Sequence, residues 1–122
     1  MDEKHASLRV PADAVFARSV RMTAATFAVS CDMSVEDVED VRMIAEEGFV
    51  YTCATAPESV EVRFSLERGR VTMDFSLGDT EPSDESVDLV RVLLSAVCDE
   101  FSFEDEGSTL HLVRASGESD GE

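Results

Sequence analysis

Two stretches of the chain alternate strictly between apolar and polar residues. Val60, Val62, Phe64 and Leu66 alternate with Glu61, Arg63, Ser65 and Glu67, and beyond Arg68-Gly69 the residues Val71, Met73, Phe75 and Leu77 alternate with Arg70, Thr72, Asp74 and Ser76. A period of two predicts strands with one buried face, and a two-residue Arg-Gly connection predicts a hairpin. The register follows from it. Leu66 falls opposite Val71 and Phe64 opposite Met73 on the inner face, while Glu67 meets Arg70 and Arg63 meets Asp74 on the outer face. Apolar pairs on one side and opposite charges on the other agree on one pairing. A second hairpin joins Asp99–Glu104 to Thr109–Arg114 around Glu106-Gly107, with Phe103 opposite Leu110 and Phe101 opposite Leu112 inward. Ser102 and His111 then face outward, on a surface expected to carry Arg9, Arg63, Arg70, Asp74 and Arg114 as well. Near the start, Ser7-Leu8-Arg9-Val10 reads as a short strand.

Between these strands the spacing changes to that of helices. Pro11 suits a first helical turn, and residues 12–29, rich in alanine, place Val15, Phe16, Val20, Met22 and Phe27 at helical spacing. Ser34 caps a second helix, with Glu36 and Asp37 where the helix dipole favours acids. Val38, Val41, Ala45, Gly48, Phe49 and Thr52 line one of its faces, the opposite stripe holds Asp40, Ile44, Glu47 and Tyr51, and the helix ends near Ala54 before Pro57. Gly78 to Glu85 reads as a loop, after which Ser86 caps a third helix, residues 87–98, apolar around much of its circumference and so expected to be largely buried. The order is β-α-α-β-β-α-β-β. It predicts an α+β two-layer sandwich, a largely antiparallel (mixed) sheet of four to five strands covered on one face by three helices. Residues 1–6 form a flexible leader, 7–114 a single domain, and 115–122 a disordered acidic tail.

Charge narrows the partners. Ten basic against 27 acidic residues give a net charge of −17, which opposes binding to nucleic acid or to anionic membranes and favours a basic protein partner. No apolar stretch is long enough for a membrane span and the first residues do not resemble a signal peptide, so the cytoplasm is expected. Cys31, Cys53 and Cys98 are widely spaced, lack a CxxC pair and fall in apolar patterns, as small core residues do. The two histidines, His5 and His111, are isolated in sequence and define neither a metal site nor a triad.

The element order, the stretch Glu39-Asp40-Val41-Arg42-Met43-Ile44-Ala45-Glu46-Glu47, and Val97-Cys98-Asp99-Glu100-Phe101 leading from the last helix into a strand together resemble the histidine-kinase-like (GHKL) ATPase fold. Within it, residues 7 to 114 look most like the anti-sigma-factor serine kinases. The resemblance implies a Glu acting as base and, four residues on, an Asn ligating Mg²⁺; here Glu47 matches the Glu, but Tyr51 stands where the Asn would be. It also implies a DxGxG stretch that binds adenine. Leu77-Gly78-Asp79 and its neighbours do not fit that pattern, and no glycine-rich lid opens the third helix.

What the resemblance then implies is a degenerate, non-catalytic anti-sigma-like regulator with no cofactor. Its partners are a sigma factor or an anti-anti-sigma antagonist, with a homodimer as in the family. The alternative is a divergent serine/threonine kinase that still binds ATP and Mg. Glu47, Tyr51, Leu77 and Asp79 are the relic nucleotide positions, and Asp79, Glu81, Asp84 and Glu85 the candidate docking surface for a basic partner. The simpler reading of Glu47 and Tyr51 is a solvated helix face with the tyrosine lying over the sheet edge.

Overall fold

The structure is a computed structural model that describes residues 2–116. Its elements are β1 (Lys4–Pro11), a short 3-10 turn (Ala14–Phe16), α1 (Ala17–Ser30), α2 (Val35–Ala54), β2 (Ser59–Glu67), β3 (Arg70–Ser76), α3 (Asp84–Val97), β4 (Glu100–Glu104) and β5 (Thr109–Ala115). The five strands form one sheet in the order β1-β2-β3-β5-β4, and every neighbouring pair is antiparallel. The α+β order is the expected one. Both hairpins hold the expected register, with Leu66 opposite Val71, Arg63 opposite Asp74 and Phe103 opposite Leu110.

Burial alternates along β2 and β3, and the inner residues meet the helices. Phe27 of α1 stands edge-on to Phe64 of β2 at 4.9 Å, and Tyr51 of α2 packs on Phe103 of β4 at 5.7 Å. Gly48 lets α2 approach β3 closely, since a Cβ there would lie 2.5 Å from the ring of Phe75. Phe49, Phe64 and Phe75 are fully buried, each worth about 2–3 kcal/mol of transfer free energy.

Several boundaries differ from expectation for local reasons. The leader is shorter than residues 1–6: Lys4, His5 and Ala6 already pair with Leu66, Ser65 and Phe64, because the free edge of β2 bonds main chain whatever the side chains. At the other end Ala115 belongs to β5, opposite Arg70, and most of the expected tail, residues 117–122, lies outside the described residues. Pro11 closes β1 instead of opening a helix, and Asp13, accepting from the Val15 N–H at 3.0 Å, caps the 3-10 turn that precedes α1. Ser34 caps α2 as expected, accepting from the Asp37 N–H at 3.1 Å.

The third helix starts earlier than Ser86. Ser83 is its cap, accepting from the Ser86 N–H at 3.2 Å, so Asp84 and Glu85 belong to the first turn, where the positive end of the dipole favours them. Only Val90 and Leu94 of α3 are buried, while Leu89 and Val92 are 59% and 67% exposed. The helix packs beside α2 and over β4 at the sheet edge, so one stripe finds cover and the rest does not.

Arg114 is also misplaced by the sequence reading. It shares the parity of Leu110 and Leu112, so it points under the helices, where its guanidinium reaches Asp37 at 2.8 Å, Asp40 at 2.9 Å and the Val97 carbonyl at 3.1 Å. Burial disfavours its charge, but the hydrogen bond to Asp37 and the charges of Asp40, Asp37 and Asp99 outweigh that and raise its pKa. One side chain thereby ties β5 to the start of α2 and the end of α3. The cysteines are free thiols within or beside the core, and burial next to Asp99 pushes Cys98 up to about 12.

Candidate functional site

Glu47 and Tyr51 are four residues apart on α2 and share a face. They do not form a solvated stripe. Tyr51 is 7% exposed, its ring against Phe103, and the Arg91 guanidinium lies 5.2 Å from the centre of the Phe103 ring. Burial raises the phenol pKa, Arg91 lowers it and Glu81 raises it, leaving the neutral form favoured. Glu47 is half-buried, and desolvation together with Glu46 raises its carboxyl pKa.

A cleft of about 340 Å³ opens between the end of α2, the β3–α3 loop and the β4–β5 turn. Tyr51, Leu77, Asp79 and Glu81 line it, so the fold gathers four residues that the sequence reading singled out. Glu106, from the β4–β5 turn, joins them. Glu47 is not in the wall, and Asp84 and Glu85 are exposed on the first turn of α3, outside it. Three carboxylates and no basic side chain line the space. Each acid within ~4 Å of a phosphate charge costs about 1 kcal/mol even at the dielectric of water.

Three of the loop amides are taken up within the protein. The Leu77 N–H donates to the Ser108 carbonyl at 2.9 Å, the Gly78 N–H to Thr55 Oγ1 at 2.7 Å, and the Thr80 N–H to the Thr55 carbonyl at 3.0 Å. Thr55 in turn donates its hydroxyl to the Thr52 carbonyl at 2.6 Å. Gly78 is required by this packing, for a Cβ would lie 2.2 Å from the Thr55 carbonyl oxygen. The cleft therefore carries a negative rim. It suits a cationic group better than a phosphate.

The opposite, open face of the sheet holds a second constellation. A polar row crosses all five strands in the register Ser7, Arg63, Asp74, His111, Ser102. Asp74 Oδ1 lies 2.6 Å from His111 Nδ1, and Ser102 donates to Glu104 Oε2 at 2.9 Å rather than to His111. Arg63 and Asp74 are opposite each other as expected, yet the guanidinium donates to Ser76 at 2.9 Å. Sequence reasoning saw Ser102 beside His111 but not Asp74 on its other side. That neighbour depends on the pairing of β3 with β5, strands separated by a helix and another strand, for which the local pattern holds no signal.

No protein-family model matches the chain, and no curated protein matches it. No helix among the described residues is long and apolar enough to cross a membrane.

Proposed function

We propose that this protein is a non-catalytic regulator of the anti-sigma-factor kind, acting in the cytoplasm by binding another protein on a degenerate histidine-kinase-like ATPase scaffold. One observation carries the reading: the cleft beside Tyr51 is lined by Asp79, Glu81 and Glu106 with no basic group, and the Leu77, Gly78 and Thr80 amides beside it are bonded to Ser108 and Thr55. That acidic lining opposes the phosphates of a nucleotide. The alternative, a serine/threonine kinase with Glu47 as base, is opposed by the absence of Glu47 from the cleft and by Tyr51 in place of an amide ligand.

The exposed run Asp79, Glu81, Asp84 and Glu85 leads from the cleft into the first turn of α3 and offers a docking surface to a basic segment. By the resemblance that segment belongs to a sigma factor or to its antagonist, met by a homodimer. A net charge of −17 speeds such an encounter and makes its rate fall as salt rises. Nucleic acid and membranes are not partners on this reading.

Affinity capture on the full chain from its host, with the bound proteins identified, tests it. The expected result is a sigma factor or antagonist whose association slows with salt and slows further for the fourfold variant Asp79→Asn, Glu81→Gln, Asp84→Asn, Glu85→Gln. Recovery of neither class of protein contradicts the reading.

A further inference from the structure

We propose that Asp74, Glu104 and His111 form a site for a divalent transition-metal cation of the zinc class on the open face of the sheet. The three residues come from β3, β4 and β5, which are consecutive across the sheet. His111 is in the middle. Asp74 is its direct cross-strand partner on one side, and Glu104 lies two residues along from its partner on the other, within the diagonal reach of a long side chain. One donor atom of each lies within 4.8 Å of the other two. Hydrogen-bonded strands fix these spacings, so the donor set is held together before any ligand arrives.

The surrounding contacts orient the donors. Asp74 Oδ1 and His111 Nδ1 already lie 2.6 Å apart, a contact that a bound cation would replace with a bond to each residue. The Ser102 hydroxyl holds one oxygen of Glu104. Among the described residues no lysine or arginine pairs with Asp74 or Glu104, and the one guanidinium opposite Asp74, that of Arg63, is engaged with Ser76 and stands 3.9 Å from Glu61. Two carboxylates therefore converge on one imidazole without a permanent counter-charge, on a molecule that is already strongly acidic. A nitrogen donor beside two oxygens selects zinc, cobalt or nickel over magnesium and calcium, which take oxygen ligands. Three protein donors leave the remaining coordination positions to solvent on this open face.

The test is a calorimetric titration of zinc chloride into the full chain, repeated for three variants. The expected result is one zinc per chain, an affinity at least about tenfold weaker for both His111→Ala and Glu104→Gln, and no change for His5→Ala, which removes the other histidine. Glu104 is exposed and its variant keeps the fold, which far-ultraviolet circular dichroism checks. The His111 ring resonances should shift on adding zinc while those of His5 stay in place, and millimolar magnesium should leave the isotherm unchanged. An absence of saturable binding overturns the proposal. So does zinc binding that survives both His111→Ala and Glu104→Gln, since that places the metal on scattered surface acids.

Discussion

The cleft at the end of α2 and the open face of the sheet hold the same kind of group, carboxylates, in opposite settings. In the cleft, Asp79, Glu81 and Glu106 surround a space with no histidine, and the Leu77, Gly78 and Thr80 amides are bonded to Ser108 and Thr55. On the sheet, Asp74 and Glu104 converge on His111. Acidity alone thus does not choose a ligand; the type of donor and its convergence do. The two regions also differ mechanically. The cleft is built into the packing of helix on sheet through Tyr51, Thr55 and Gly78, whereas the polar row stands on paired strands with Asp74, His111 and Ser102 half-buried.

That contrast sets an order of substitution effects. Tyr51→Ala removes a buried ring from between α2 and β4 and should cost about 3–5 kcal/mol in denaturant unfolding; a loss below about 1 kcal/mol breaks the idea that the tyrosine is a wall of the core. Gly78→Ala should cost about 1–3 kcal/mol, because the new methyl meets backbone rather than a side chain that can swing away.

A smaller effect with a pH signature belongs to Glu47. Its folded pKa is raised above the ordinary 4.5, so the folded state binds the proton more tightly and the carboxylate destabilises the fold as pH rises above that value. Glu47→Gln should therefore raise Tm at neutral pH, with the gain vanishing in acid where Glu47 is protonated in both states. A small effect is expected on the sheet face, where His111→Ala without added metal removes one contact to Asp74 and should cost about 0.5–1.5 kcal/mol. A large loss there would erase the mechanical contrast between the two regions.

How much of this the sequence carried follows from the range of each interaction. The two hairpins were legible because alternation and turn residues act within a few positions, and Ser34 because a cap and its acids are adjacent. The strand at Lys4–Ala6 was not, since an edge strand draws its stability from the main chain of β2 and needs no apolar pattern. Ser83 and Ser86 are both competent caps three residues apart, and the choice fell to Ser83, whose acids occupy the first turn of α3. Arg114 could have been placed by counting parity from Leu110 and Leu112; its charge drew it to the wrong face. Of the candidate site, Tyr51, Leu77, Asp79 and Glu81 were named and do meet. The contributions of Thr55, Glu106 and Ser108, and the meeting of Asp74 with His111, rest on contacts between distant segments.

Titration of Mg-ATP into the full chain, followed by calorimetry and by thermal unfolding, puts the acid-rimmed cleft to the most direct test. No saturable heat and an unchanged Tm at millimolar nucleotide are predicted. A one-site isotherm accompanied by a Tm rise of several degrees, as saturating ligand would produce, would contradict the account.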